Sequence, residues 1–157
     1  MKIIDIANII TEKISTMGLT KFTYISTENM ISNCGGIDTA TSLPTGKVTS
    51  FYKGDTLISN IRPYFKKVWF ATFNGGCSND VICVRSKKDS YLPAYLYYAL
   101  CTDKFIDTFS ASSKGTKMPR GDKNALLSYE IPDRTVAEQQ HIVDSIKNNN
   151  LEENICA

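Results

Sequence analysis

Four short β-prone runs follow one another between residues 47 and 85 and constrain the fold more than any other part of the sequence. They read K-V-T-S-F-Y (47–52), T-L-I-S-N-I (56–61), K-V-W-F-A-T-F (67–73) and D-V-I-C-V-R (80–85). The pairs Gly54-Asp55, Arg62-Pro63 and Gly75-Gly76 separate them and are typical of turns. Because short turns reverse the chain, this segment predicts a twisted, mostly antiparallel sheet.

Helical patterns lie on both sides of the predicted sheet. Isoleucines at roughly helical spacing predict a first helix near residues 5–16, which Gly18 ends. Pro93 opens an apolar helix that extends or restarts to about residue 110, because proline in the first helical turn loses no backbone hydrogen bond. Two further short runs predict strands, at 22–25 and 127–132. The predicted fold class is mixed α/β (α+β), with helices flanking the sheet.

A C-terminal helix is predicted from a capping-box pattern. Thr135 is the expected N-cap, and Glu138 stands three residues later, where its carboxylate can accept the N-cap N–H. The helix runs near residues 136–148 and carries only a thin apolar stripe, which favours packing on one partner surface. We expect a compact domain over residues 1–134, followed over 135–157 by the start of a spacer or coiled-coil helix and a tail.

Composition excludes several classes of protein. The 157 residues are 42% hydrophobic and 22% charged, which is typical of a single ordered domain. The five cysteines form no C-x-x-C pair and His141 is the only histidine, so neither a disulfide framework nor a metal site is predicted. No apolar run approaches a membrane span, and the N-terminus lacks a signal-peptide cleavage pattern. We expect a cytoplasmic protein with reduced thiols, no cofactor and no membrane contact.

The motifs that suggest catalysis are incomplete. N-I-R-P-Y (60–64) is close to the Asn-x-Pro-Tyr signature of adenine methyltransferases, but Arg62 adds one residue and no glycine-rich loop is present to hold S-adenosylmethionine. P-D-x-x-x-x-E-Q-Q (132–140) lacks the lysine of a nuclease site. Cys77 has no histidine nearby in the sequence, which favours an inert thiol. An enzyme that uses Cys77 or the Asn60–Tyr64 segment is therefore the weakest hypothesis.

Positive charge is concentrated in two short windows. The net charge of the chain is +2, yet residues 47–67 carry five cations against one acid, and residues 111–123 carry four against one. Basic patches on a neutral body are typical of surfaces that contact phosphates, although solvated loops give the same pattern. The second window contains S-S-K-G-T-K-M-P-R-G-D-K (112–123), whose glycines and proline exclude a regular helix or a central strand.

The predicted DNA contacts come from three segments. The hairpin turn presents cations and aromatic rings that suit phosphates, base edges or sugars: Arg62, Tyr64, Lys66 and Lys67. We expect either Tyr64 or its neighbour Phe65 to pack inward. The cationic loop adds charge and a backbone that can approach an anion closely: Lys114, Gly115, Thr116, Lys117 and Arg120.

The third segment is the glycine-rich turn G-G-C-S-N-D-V (75–81). Ser78 and Asn79 either satisfy local backbone groups, which is the commoner role of such residues at turns, or read base edges. Both alternatives stay open at the level of the sequence.

Five blocks in this order resemble the target recognition domain of a type I restriction–modification specificity (S) subunit. They are G-D-T-L-I-S-N-I-R-P-Y-F-K-K, G-G-C-S-N-D-V, the Pro-initiated Y-L-Y-Y-A-L helix, K-G-T-K-M-P-R-G-D-K and I-P-D-R-T-V-A-E-Q-Q-H-I. The earlier Y-I-S-T-E-N-M (24–30) fits as well. No block is decisive alone, but the ordered set covers residues 4–146.

The resemblance implies a non-catalytic DNA-binding component that reads one half of a bipartite double-stranded DNA target. Such subunits usually carry two recognition domains, each followed by a long helix, and the paired helices set the spacing between half-sites. The resemblance also implies partners, namely methyltransferase (M) subunits, which use S-adenosylmethionine, and through them the restriction (R) subunit. Base-reading residues vary within this family, so the matched motifs are expected to serve fold and phosphate contacts more than readout.

The sequence contains one such recognition domain and only the beginning of a spacer helix. We expect either a truncated or split subunit, or a half-size protein that works as a homodimer on an inverted-repeat target. A different hypothesis is a protein-interaction module that docks on a methyltransferase subunit and reads little DNA of its own. Salt-dependent duplex binding with a sequence preference distinguishes the two.

Overall fold

The computed structural model describes residues 1–87, 89–113 and 119–153, with side chains through residue 149. Within these residues the strands form two four-stranded sheets. The first sheet contains, in spatial order, β1 (Ala7–Ile9), β8 (Val81–Ser86), β5 (Thr56–Ser59) and β6 (Val68–Phe70), all antiparallel. The second contains β2 (Lys13–Ser15), β4 (Lys47–Phe51), β7 (Gly75–Cys77) and β3 (Tyr24–Ile25), with β3 parallel to β7 and the other pairs antiparallel.

Helices cover the first sheet and confirm the α+β class. They are α1 (Ile3–Ile6), α2 (Pro93–Leu100), α3 (Asp103–Ala111), α4 (Lys123–Ser128) and α5 (Val136–Glu153). α2 packs on β5, β6 and β8, and α5 packs on α2. The predicted helix from Pro93 is confirmed, and it restarts at α3 because Thr102 caps a second helix through its hydroxyl, which accepts the N–H of Phe105.

The first sheet is buried on both faces. Along β5, Ile58 joins a main core with the helices, whereas its neighbour Leu57 joins a second core shared with the second sheet. The same alternation holds along β8, where Cys83 lies in the second core between two residues of the main core. Both faces of these strands require apolar side chains, which explains why their sequences are continuous apolar runs.

The predicted first helix is wrong beyond its first turn. α1 ends at Ile6, and the chain then pairs as β1 with β8 and as β2 with β4. The isoleucines do not share one helix face, because Ile9 packs on the main core, Ile10 on the second core and Ile14 on a third, smaller cluster. β-branched residues favour strands, and the helix-like spacing of these isoleucines arises because they pack in three separate clusters.

Two other elements differ from the sequence prediction. The pair Gly75-Gly76 is part of strand β7 rather than a turn, and a Cβ at residue 75 would collide with the carbonyl oxygen of Thr23. Residues 123–128 form α4, whose N-cap Asp122 accepts the N–H of Asn124, in place of the strand predicted at 127–132. Tertiary packing therefore selects a conformation that neither glycine content nor β-propensity indicated.

A buried ion pair ties β4, β5 and β8 together at one end of the sheets. The Asp55 carboxylate, 3% exposed, accepts Nε and Nη2 of Arg85 at 2.8 and 2.7 Å. It also accepts the backbone N–H of Tyr52 at 2.8 Å and lies 3.3 Å from the sulfur of Cys83. Arg85 lies over the Tyr52 ring, with Cζ 4.3 Å from the ring centroid. The Gly54-Asp55 turn is therefore stabilised by the Asp55–Arg85 ion pair as well as by the positive φ that Gly54 can adopt.

Helix α5 begins with the predicted capping box. The Thr135 N–H donates to Glu138 at 2.9 Å, and the Glu138 N–H donates to the Thr135 hydroxyl at 3.2 Å. Gln139 is fully buried, and its amide donates to the carbonyls of Ser90 and Arg134 and accepts the N–H of Leu92. One side chain thus joins the start of α5 to the loop that opens α2. The predicted boundary between residues 134 and 135 stays a prediction.

Candidate nucleic-acid interface

Three segments far apart in the sequence meet at one end of the molecule. Residues 60–67 follow β5, residues 78–80 follow β7, and residues 119–121 precede α4; we call these three segments the cationic tip. Ile61 and Arg120 form an antiparallel bridge, and the Gly121 N–H donates to the Asn60 carbonyl at 3.3 Å. The Asn60 N–H donates to the Asp80 carbonyl at 2.8 Å. Residues 60–62 of the first basic window and residues 119–121 of the second therefore lie side by side.

The turn of the cationic tip is built from backbone conformations that side chains rarely adopt. A short 3₁₀ turn, Pro63–Phe65, is flanked by Arg62 and Lys66, both in the left-handed region with φ of 48° and 57°. Asn33 and Cys34, also left-handed, donate their N–H groups to the carbonyls of Phe65 and Lys66 at 3.1 and 2.8 Å. Non-glycine residues in this region carry strain of order 1–3 kcal/mol, and such strain concentrates at binding sites.

Both aromatic rings of the tip lie at the surface. Tyr64 is 53% and Phe65 41% exposed, and their centroids are 4.9 Å apart in an edge-to-face pair. The prediction that one of them packs inward is wrong, because Pro63 is the residue of this turn that is buried. The tip therefore presents two rings that can stack on bases or sugars.

The predicted cations of the tip differ in how firmly they are held. The Lys67 ammonium donates to the Thr27 carbonyl at 2.8 Å, and Arg120 pairs with Asp80 at 2.5 Å. Lys66 pairs with Asp103 at 3.1 Å, and only 13% of its side chain is exposed. Arg62 is exposed. Lys66 is therefore less accessible than the two arginines, Arg62 and Arg120.

Ser78 and Asn79 are both engaged within the protein. The N–H of Ser78 donates to the Ile25 carbonyl at 2.9 Å, and its hydroxyl hydrogen-bonds the Tyr24 side chain. Asn79 accepts the ammonium of Lys13 at 2.9 Å, which also donates to the Thr49 hydroxyl. Lys13 was absent from the predicted contacts, and no local pattern marks it, because its proximity to the tip follows from the pairing of β2 with β4. The remaining predicted contacts, Lys114, Gly115, Thr116 and Lys117, lie outside the described residues.

A polar pocket of about 420 Å³ opens beside the tip. Its lining comes from residues 26–29, residues 38–44 and two residues of the tip, Ser78 and Asp80. Buried Asn29 holds the first two segments together, because its amide donates to the carbonyls of Tyr24 and Asp38 and accepts the N–H of Ser26. Asn29 therefore holds the start of the 38–44 segment against this pocket.

The thiols and carboxylates show little sign of a reactive centre. Burial raises the pKa of Cys77 to about 12, so its thiol is protonated at neutral pH and is a poor nucleophile. Cys34 and Cys101 have their sulfurs 3.2 Å apart beneath the tip. Within the described ranges no group of three or more histidine, cysteine or carboxylate side chains is arranged to hold a metal ion. No helix in the described part of the chain is long and apolar enough to cross a membrane.

Comparison with known proteins identifies specificity subunits of type I restriction systems as proteins similar to this chain. The type I restriction enzyme EcoDI specificity subunit of Escherichia coli is 34% identical over 97 residues, which are 62% of this chain and 21% of that protein. The chain therefore spans about a fifth of the length of this relative. No family model matches the chain.

Solved structures give the same fold. The HsdS subunit from Thermoanaerobacter tengcongensis superposes with a TM-score of 0.76 at 18% identity, over 97% of this chain and 42% of that one. The type I S subunit from M. genitalium gives 0.65 at 20% identity, over 97% and 39%. A chain from a structure of type I R-M assembly and conformational transition gives 0.64 at 14% identity, over 96% and 37%. The resemblance to the target recognition domain of a type I specificity subunit is confirmed.

Proposed function

We propose that this chain is a sequence-specific DNA-binding module of a type I restriction–modification system. It reads one half of a bipartite duplex target and positions methyltransferase subunits, without catalysis of its own. The observation that supports this most directly is the cationic tip, where backbone hydrogen bonds join residues 60–62 to residues 119–121 beside two exposed aromatic rings. Exposed arginine beside aromatic rings suits phosphate and base contacts.

The proposed partners follow from the relatives. The relatives are specificity subunits, and one structural neighbour comes from an assembled type I system. We propose that the chain binds a methyltransferase subunit, and through it the restriction subunit, in the cytoplasm. A second copy of the chain would give a homodimer on an inverted-repeat target, and a second recognition domain would give a bipartite target.

A random-duplex selection tests this function. The purified chain, alone and with a type I methyltransferase subunit, is incubated with random duplexes at two salt concentrations. An enriched motif of a few base pairs is the expected result, and a palindromic pair of motifs would identify a homodimer. Flat enrichment in both conditions contradicts sequence reading. It would favour the alternative, a scaffold whose cationic tip docks on an acidic protein surface.

Salt dependence tests the phosphate contacts separately. If about six phosphates are neutralised, log affinity falls with log salt at a slope near −5. Arg62→Ala should reduce that slope by about 1 and weaken binding to all sequences alike. Lys147→Ala, which removes an exposed cation of α5, is the matched control and should leave the slope unchanged. An equal effect of the two changes would contradict the assignment of DNA binding to the tip.

A further inference from the structure

The polar pocket lies where a base edge would come within reach if the cationic tip holds the DNA backbone. Asp80 is shared between the pocket and the tip, and its carboxylate pairs with Arg120. On another side, the Lys67 ammonium is held by the carbonyl of Thr27, a residue of the pocket wall. Two of the tip cations are therefore attached to the rim of the pocket, where they would neutralise phosphates on either side of a base.

The lining of the pocket is rich in hydrogen-bond acceptors. Asp38 stands in its wall and is exposed, so its carboxylate is open to solvent at the mouth of the pocket. The backbone of Asp38 is fixed, because its N–H donates to the Asn29 carbonyl at 2.7 Å and its own carbonyl accepts the Asn29 amide. A carboxylate held by a rigid backbone beside a neutralised rim is ready to accept a donor from outside the protein.

The electrostatic environment of Tyr24 agrees with this geometry. Burial raises the pKa of this tyrosine, the hydrogen bond with Ser78 opposes that change, and the charges of Glu28 and Asp80 raise it further. Glu28, Asp38 and Asp80 all line the pocket, and only Asp80 is paired with a described cation, so the lining favours a donor over a phosphate. A metal ion is a poor occupant, because no described group of three ligating side chains gathers there.

The four bases differ in what they offer to such an acceptor. In the major groove, guanine presents two acceptors, thymine an acceptor and a methyl group, and adenine a donor beside an acceptor. Only cytosine presents an amino donor without an acceptor of its own beside it. A carboxylate, which has no hydrogen to donate, is repelled by the acceptors of the other three bases.

We propose that the polar pocket is a base-reading subsite and that the Asp38 carboxylate accepts the amino group of a cytosine in the half-site. This inference rests on the proposed function and extends it to a base and a residue. The rim cations supply phosphate contacts on both sides, so that the acidic wall meets the base edge and not the backbone.

The test repeats the random-duplex selection with Asp38→Asn. The wild-type chain is expected to enrich a motif with a cytosine at one position, preferred about fivefold to tenfold over other bases. The amide of Asp38→Asn presents a donor and an acceptor, so the preference at that position should move towards adenine. Asp38→Ala should lose the preference without gaining another. The salt slope should stay the same, since no phosphate contact is removed.

Asp144→Asn is the matched control, because its carboxylate lies on α5, which packs on α2 and not on the sheet that carries the pocket. Thermal melting of each variant checks that it folds. An unchanged motif in Asp38→Asn, or an equal loss at every position of the motif, overturns the subsite while the proposed function stands. Weakened binding to a methyltransferase subunit with an unchanged motif would show that the pocket holds a protein group instead. A wild-type chain without any motif overturns both proposals.

Discussion

Removal of the Asp55 carboxylate would measure how much the Asp55–Arg85 ion pair contributes to the stability of the fold. The pair lies at the end of the first sheet where β5 begins and β8 ends. Asp55→Ala removes two charge-assisted bonds from Arg85 and the acceptor of the Tyr52 N–H. Breaking a buried pair by deleting one partner costs about 3–5 kcal/mol when the other charge stays buried. The Arg85 side chain is 31% exposed and lies over a surface tyrosine, so it can regain water.

The expected loss for Asp55→Ala is therefore at the lower end, about 3 kcal/mol. For a domain of this size such a loss lowers the melting temperature by about 6–12 °C. Arg85→Ala should cost at least as much, because it leaves a carboxylate that is only 3% exposed without its counter-ion. Urea unfolding of the two single variants and the double variant completes a thermodynamic cycle.

The cycle gives a clear criterion for refutation. If the pair acts as a unit, the double variant loses less stability than the sum of the single variants by more than about 1 kcal/mol. Additive losses, or a cost for Asp55→Ala below about 1 kcal/mol, would show that Gly54 and the surrounding packing hold this turn without the ion pair.

Two further changes test the packing behind the tip and the state of the buried thiols. Gly121→Ala places a methyl group against the Phe109 ring, so it should displace Arg120 and lower the free energy of unfolding by about 1–3 kcal/mol. The control Gly18→Ala, whose methyl group meets no atom within 4 Å, should change the free energy of unfolding by less than about 0.5 kcal/mol. Equal unfolding curves for the two variants would refute this prediction. Burial raises the pKa of Cys77 to about 12 in the folded state, so the contribution of the protonated thiol to stability is full below the unfolded pKa near 9 and falls as the pH rises above it. Urea unfolding should show a smaller fall of stability with pH in Cys77→Ala. A free energy of unfolding that does not change between these pH values would contradict a buried, protonated thiol.

The strands and helices that the sequence predicted well are those whose ends are marked by glycine, proline or capping residues. β4 begins after Gly46, β5 after Gly54 and β6 after the turn at Pro63, α2 starts at Pro93, and α5 starts at a capping box. These signals act within a few residues of one another, so a single sequence contains all the information they need.

The elements that sequence reasoning missed depend on contacts between distant residues. β7 forms because Gly75 and Gly76 allow β3 and a neighbouring loop to approach, and the isoleucines near the N-terminus serve three clusters instead of one helix face. The candidate site shows the same limit. Charge windows located the tip, but the proximity of Lys13 and the Asp38 pocket follows from pairings across 30 residues or more. Periodicity carries no record of such pairings.

Gln139 fixes the start of the last helix, and the burial of Val143 in the main core holds its next turn. α5 comprises 18 residues and extends about 27 Å, and its first turn is joined to the domain by the three hydrogen bonds of this one amide. A tilt of about 10° at that root would move the far end by about 5 Å, which exceeds the roughly 3.4 Å between successive base pairs of DNA. A small displacement of the buried glutamine at the start of α5 therefore becomes a displacement of more than one base-pair step at the far end of the helix.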